Sequence, residues 1–429
     1  MSKGQFLLFI IQLGLLLTVA RAMGIIARKL NQPPVIGELL AGIILGPSIL
    51  GYFFPQIFSA IFPQNKELLL LLETISWLGM IFLMLLTGLE MDIRTIKRLG
   101  KPAFFSSLFG MVIPFALGFS LGWLVPDYLV GNSAERMIFS LFIATAMAIS
   151  AVPVIARILM DLKLLNQNLG VVIISAAIVD DTTGWFILSV IAGLASKGEL
   201  KLSSIGFSIG SVVLFILGSY FILLPLVKRL VKWFDNKAWI EEGAITIIFV
   251  VTLLCSALTE AIGIHAVFGA FVAGVMLAQC PETRAKYRGR IESILLAVFA
   301  PLFFAYSGLK VDLIRLVNPT ILLIFLCLAC FGKILGSTLG GRIGGLTRWE
   351  ALSVGFGMNA RGAMELVVAM VGLSLGILNE ISYSIIVLIA LFTTLMTPPL
   401  LKWSARRSKI FQEEKDKYVL GARQFNGDV

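Results

Sequence analysis

Two adjacent carboxylates stand in the middle of one long apolar stretch, GVVIISAAIVDDTTGWFILSVIAGLA, residues 170–195. A carboxylate at the centre of a bilayer costs about 2.5–3.5 kcal/mol even on lenient insertion scales, so Asp180 and Asp181 need a chemical reason to be there. Neighbours on a helix point about 100° apart, and the two acids cannot face one partner equally. One can pair with a buried base, and Lys333 is such a base, isolated in CLACFGKILGSTLGG. The other is left facing a water-filled cavity. Two anions and one cation leave the site net negative, which favours a cation. Desolvation favours the protonated acid, so the free carboxyl holds a proton or a metal cation but not both well. Competition of two ions for one carboxylate is sufficient chemistry for exchange.

Three further groups of polar residues lie at similar depth. Thr182 and Thr183 follow the acids. IATAMAISAVPVIAR holds Thr145, Ser150 and the helix-breaking Pro153, and GFGMNARGAMELVV holds Asn359, Arg361 and Glu365 amid three glycines. Proline removes a backbone donor and disturbs the helix around it. Two interrupted helices are therefore expected to cross near the centre, exposing carbonyls and half-helix ends whose partial charges suit an ion site. Arg361 and Glu365 are four apart on one face and neutralise each other in a supporting role. The plainer account of Asp180 and Lys333, an inert pair that fixes packing, leaves the second aspartate unexplained. Glu38 and Glu73 near span ends read as packing or entrance residues, and Glu260 and His265 as loop residues. Gly336 and Gly340 form G-x-x-x-G, a close helix contact. Cys327 and Cys330 form C-x-x-C without a second pair or a nearby histidine, and read as packing cysteines.

The elements that position these residues follow from composition. The 429-residue chain is 58% hydrophobic and 14% charged, with mean hydropathy +0.95, against about 25% charged residues in soluble domains. It is an all-α polytopic membrane protein, because lipid-exposed backbone must satisfy its own hydrogen bonds. The net charge of +10 sits in short loops, a topology signal rather than a nucleic-acid surface. The first twenty-odd residues lack a basic start and a cleavage site, and read as a span rather than a leader. A span needs about 20 apolar residues, which gives thirteen: 5–20, 34–53, 68–89, 103–125, 137–156, 168–195, 204–227, 243–260, 264–280, 293–309, 318–341, 351–376 and 382–401. A polar tail, 403–429, follows the 1–402 membrane domain. The odd loops and the tail hold 26 of the 35 Lys and Arg, and the N-terminus with the even loops only 7. Positive-inside then places the N-terminus outside and the C-terminus in the cytoplasm.

The chain also repeats itself. VIGELLAGIIL (35–45) matches VFGAFVAGVML (267–277), and TGLEMDI (87–93) matches SGLKVDL (307–313). Both matches lie seven spans apart, so the second copy crosses the membrane in the opposite sense. Inverted repeats of this kind frame midplane sites in secondary transporters, and spans four to six should recur as eleven to thirteen.

QPPVIGELLAGIILGPSILG, LGMIFLMLLTGLEMD, IVDDTTGW, the lone lysine of FGKILG and GMNARGAMELV together resemble the monovalent cation:proton antiporter-2 family, along almost the whole chain from Gln32 to about Pro399. The resemblance implies the sodium/proton antiporter fold of thirteen spans, in a homodimer within the plasma membrane of a prokaryote. It implies a dimer domain from spans within 1–89 and 243–309, a linker helix 204–227, and a moving core from spans within 103–195 and 318–401, operating as an elevator. It implies that Asp181 carries Na+ (or Li+) and H+, with Thr145 and Ser150 as further ligands, and that Asp180 pairs with Lys333. An Asp-Asp pair implies electrogenic sodium/proton exchange serving pH homeostasis, with no cofactor beyond the transported ions and no enzyme activity. Three alternatives stand beside it. Potassium can replace sodium in the same cycle. An intramembrane aspartyl protease needs carboxylates opposed from two helices, whereas these are neighbours on one. A non-transporting receptor needs neither the repeat nor the midplane lysine.

Overall fold

Each of the thirteen apolar segments contains helix in the computed structural model, which describes residues 3–408 except 64, 92–99, 132–133, 166, 196–201, 236–240 and 315–318. Most of the third loop and of the polar tail therefore lies outside the described residues. The first half comprises α1 (Lys3–Lys29), α2 (Pro34–Phe53), α3 (Lys66–Glu90), α4 (Lys101–Leu124), α5 (Arg136–Ala148), α6 (Val152–Asp161) and α7 (Asn168–Ala195). The second comprises α8 (Ile209–Arg229), α9 (Glu241–Ala261), α10 (Ala266–Ala278), α11 (Lys286–Leu309), α12 (Pro319–Ile343), α13 (Arg348–Met358), α14 (Ala363–Ser374) and α15 (Glu380–Ala405).

Among the described residues, 11 helices are long and apolar enough to cross a membrane, or 12 if α13 and α14, bent by 44°, count as one span. Of the thirteen expected spans, the one at 264–280 falls short of that length. That segment is the 13-residue α10, about 20 Å long at 1.5 Å per residue against a hydrocarbon core of about 30 Å. Local signals hold it short. Gly263 turns the chain at φ 81°, and His265 caps α10 by accepting from the Val267 amide at 3.4 Å. The next helix opens at Pro281. The span expected at 293–309 starts earlier, at Lys286, because the basic helix Pro281–Ile294 runs into it through a π turn, Leu295–Phe299.

Helices in lipid gain nothing from hiding apolar surface in one another, so close approach at small residues holds the bundle together. The repeated motifs supply that approach reciprocally. A Cβ on Gly42 would lie 1.9 Å from the Ala305 carbonyl oxygen, and one on Gly308 2.2 Å from that of Leu39, so α2 and α11 touch backbone to backbone. A Cβ on Gly88 would lie 2.2 Å from the Phe271 oxygen, and one on Gly274 2.3 Å from that of Leu85, which joins α3 to α10 in the same way. The first motif of each copy thus packs on the second motif of the other. Gly37 and its counterpart Gly269 both press on the preceding helix, at Met23 and Cys255.

Gly336 and Gly340 make the expected close contact. Their Cβ positions would lie 2.3 Å and 2.0 Å from the Phe109 and Phe105 carbonyl oxygens, so α12 lies directly on α4. Backbone cannot swing away as a side chain does. Gly340→Ala should therefore lower stability by about 1–3 kcal/mol or more. Gly14→Ala, with nothing within 4 Å, should leave stability equal or slightly raised, since alanine is the better helix former. Thermal melts of the two variants in detergent check the contrast.

Candidate functional site

The two expected interruptions are present and meet. α5 stops at Ala148, the backbone is extended at Ile149 (φ −74°, ψ 144°) and Ala151 (φ −106°, ψ 102°), and α6 resumes at Val152 beside Pro153. Proline withholds an amide and disfavours helical backbone before it, so the chain opens one turn upstream. α13 ends at Met358 and α14 begins at Ala363. The breaks are tied directly: the Ala151 amide donates to the Ala360 carbonyl at 3.2 Å, and Ser150 Oγ to the Met358 carbonyl at 2.8 Å.

A helix end leaves its last four carbonyls without intrahelical partners, and the end of α5 fills all four. The Thr145 carbonyl accepts from the Ile149 amide at 3.2 Å. Arg361 donates to the Ala146 carbonyl at 2.8 Å and to that of Met147 at 2.6 Å, and Lys333 Nζ donates to that of Ala148. Two buried cations thus sit against the negative end of a helix, where they are favoured. This corrects the expectation that the carbonyls of the first break stand exposed for an ion: three of the four are occupied by side chains of the second half and the fourth by the Ile149 amide. Arg361 also meets Glu365 at 2.8 Å, so its supporting role includes joining the two breaks.

Asp180 and Lys333 are fully buried and paired, Oδ2 to Nζ 2.5 Å. Ser107 Oγ donates to Asp180 Oδ1 at 2.6 Å, and the single proton of Ser150 Oγ is shared between the Met358 carbonyl and Asp180 Oδ2, 3.2 Å away. Asp180 is a satisfied anion, its charge spent on Lys333 and on two hydroxyls. Asp181 is the opposite case. It is equally buried, yet neither of its oxygens has a hydrogen-bond partner among the described residues. The Val152 amide at the start of α6 is the donor that faces it. A buried carboxylate short of hydrogen bonds is costly as an anion, and a bound proton or cation removes that cost.

The other predicted residues divide around this pair. Ser150 lies on Asp180 rather than on Asp181. The Thr145 hydroxyl is turned to the Leu141 carbonyl of its own helix at 2.8 Å, and that of Thr182 to Ile178 at 2.8 Å. Thr183 and Ser107 line an otherwise mostly apolar cavity of about 530 Å³ between α4 and α7. Asn359 Nδ2 donates to Cys330 Sγ at 3.8 Å, away from both aspartates. His265 stacks on Trp77, ring centres 5.1 Å apart, and Glu260 accepts the Ala266 amide at 2.8 Å, so both serve the turn before α10. Ser107 escaped the sequence reading. A serine in an apolar helix normally bonds its own backbone, so the pair Ser106–Ser107 carries no visible cost to flag it.

A family profile described as "Sodium/hydrogen exchanger, transmembrane" matches residues 14–404. "Cation/H(+) antiporter 18" of Arabidopsis thaliana is 35% identical over 96% of this chain and 51% of its own length. "Na(+)/H(+) antiporter NhaS4" of Synechocystis sp. is 33% identical over 93% of this chain and 98% of its own. "K(+)/H(+) antiporter 1" of Saccharomyces cerevisiae is 32% identical over 93% and 46%. The chain thus spans about half the length of the plant and yeast relatives. The sodium proton antiporter MjNhaP1 of Methanocaldococcus jannaschii shares the fold, with a TM-score of 0.66 at 20% identity, over 94% of this chain and 97% of that one.

Proposed function

The chain belongs to the sodium/hydrogen exchanger transmembrane family, a family of transporters and not of enzymes, and from that premise we propose that it exchanges a monovalent cation for protons at Asp181. The observation that carries the reading is the contrast between two neighbouring buried acids. Asp180 is neutralised by Lys333 and held by Ser107 and Ser150, while neither oxygen of Asp181 has a hydrogen-bond partner among the described residues. One carboxyl is therefore free to alternate between a proton and a cation, and its own uncompensated charge attracts either.

Sodium is the proposed cargo, on the Asp-Asp pattern and on relatives described as Na(+)/H(+) antiporters. Potassium is the second reading, favoured by the similarly distant yeast relative described as a K(+)/H(+) antiporter. The working unit is a homodimer, with the N-terminus outside and the tail in the cytoplasm of a prokaryotic plasma membrane. All thirteen apolar segments cross in this reading, the short α10 by packing against α3 and α9 rather than by its own length.

The core, spans within 103–195 and 318–401, slides as an elevator past the scaffold, spans within 1–89 and 243–309, with 204–227 linking them. Contacts across that boundary must then break in each cycle. Tyr383 donates to the Ser307 carbonyl at 2.8 Å, and Ser384 Oγ accepts from the Asp312 amide at 3.1 Å. Trp185 stacks on Phe271 with ring centres 6.0 Å apart. With Asp181 fully buried, this arrangement is an occluded stage of such a cycle.

Purified protein in liposomes loaded with a pH-sensitive dye tests the proposal by titration with sodium, potassium and lithium. Sodium and lithium should drive proton movement at lower concentrations than potassium. The reverse order would establish the potassium reading. Silence towards all three ions would end both.

A further inference from the structure

Two arginines and one acid border a cavity of about 190 Å³ where α1 meets α2, and the exchange site uses none of the three. Arg21 and Arg28 are seven residues apart on α1, which puts them on one face of the helix. Gly24 lies between them. A Cβ there would lie 3.3 Å from Cγ and Oε1 of Glu38, so the bare glycine lets the Glu38 carboxylate of α2 lie across α1 between the two bases. The cavity is about six times the share of one water molecule in the liquid.

These charges do not close on one another. Arg21 Nη1 lies 3.7 Å from Glu38 Oε1, too far for a hydrogen bond. Arg28 makes no ion pair within 4.0 Å among the described residues. Glu38 is only 4% exposed, and a buried carboxylate needs donors. Packing does not require the charges either, as the internal repeat shows. Gly37 and Gly269 press in the same way on Met23 and Cys255, so Arg21 and Glu38 answer to Leu253 and Ala270 in the second copy. Ala270 is fully buried and Leu253 is exposed, and the helix contact there is made without charge. Depth completes the picture. α1 ends at Lys29, so Arg28 stands at the membrane surface and Arg21 about 10 Å deeper along the helix. From that depth a long basic side chain reaches back to the headgroups.

We propose that this cavity binds the headgroup of a membrane phospholipid that carries a primary ammonium, as in phosphatidylethanolamine. The phosphodiester accepts hydrogen bonds from Arg21 and Arg28, whose guanidinium groups favour phosphate, and the ammonium donates to Glu38. A basic pocket between helices at the membrane surface suits lipid phosphate in general, and the acid at its floor selects the headgroup. A choline headgroup has the same charges but no N–H to give. A glycerol headgroup brings no cation to offset the acid.

Delipidated protein in detergent, melted with increasing phosphatidylethanolamine, phosphatidylcholine or phosphatidylglycerol, tests the assignment. The melting temperature should rise saturably with lipid, and half-saturation should come at the lowest concentration for phosphatidylethanolamine. Arg21→Gln and Arg28→Gln should each raise that concentration about fivefold. Glu38→Gln should erase the advantage of phosphatidylethanolamine over phosphatidylcholine. The three-lipid comparison on wild type needs no variant, so it decides even where a substitution prevents folding. A response to phosphatidylcholine or phosphatidylglycerol at equal or lower concentration means that phosphate alone is read, and overturns the proposal. The same rise in wild type and in both arginine variants means an effect of lipid on the micelle, and overturns it as well.

Discussion

Asp181→Asn should abolish cation-driven proton movement while leaving the protein at least as stable as wild type. The two halves of that expectation come from one fact. Neither oxygen of Asp181 has a hydrogen-bond partner among the described residues, so the substitution removes no bond that holds the fold. It does remove the only charge at the site that Lys333 leaves uncompensated. Removing a side chain from a satisfied buried network normally destabilises by several kcal/mol, and that penalty should be missing here. Ion binding gives a second readout. A ligand that binds only the folded state stabilises it by RT ln(1 + [L]/Kd), about 2.7 kcal/mol at a hundredfold excess over Kd. The melting temperature of wild type should climb with the transported cation, and that of Asp181→Asn should not move. A cation-dependent melt that survives the substitution places the ion elsewhere.

Much of this site was legible in residue types and spacing, and the reasons differ by residue. Asp180, Asp181 and Lys333 stood out because a charge inside an apolar span is expensive and rare. The first interruption announced itself through Pro153 and the second through three glycines around Asn359. The repeat was visible as two motif matches in order, and its glycines prove to be the points where the two copies interlock. What escaped was whatever carries no cost in sequence. Ser107 looks like any helical serine, yet it donates to Asp180 at 2.6 Å. Arg361 was legible as a partner of Glu365 four residues on. Its reach to the Ala146 and Met147 carbonyls spans more than two hundred residues of chain, and no local pattern encodes it. The length of α10 escaped for a third reason. Hydropathy sums over residues without regard to backbone, and the turn at Gly263 with the His265 cap removes one end of an apolar run from the helix.

The Asp180–Lys333 pair should prove indispensable to stability one residue at a time and dispensable as a pair. Lys333→Met leaves Asp180 fully buried with two hydroxyl donors and no cation, and it also strips the Ala148 carbonyl of its donor. Breaking a buried pair in this way costs about 3–5 kcal/mol. Asp180→Leu leaves Lys333 buried against a single carbonyl and should cost a similar amount. The double substitution removes both charges, and replacing a buried pair by apolar groups is commonly neutral or stabilising. The double variant should therefore recover most of the lost stability, giving a coupling energy of about 3 kcal/mol or more across the thermodynamic cycle. Function separates from stability in the same set. Asp180→Asn keeps the volume and the serine partners and leaves Asp181 as the one carboxylate, so cation exchange should persist at a reduced rate. The charge moved per cycle is the sharper measurement. With Asp180 neutral, Asp181 alone trades one proton for one monovalent cation, and the exchange should become electroneutral. An Asp180→Asn variant with wild-type rate and wild-type current would reduce the pair to a structural peg, with Asp181 carrying the whole reaction unaided.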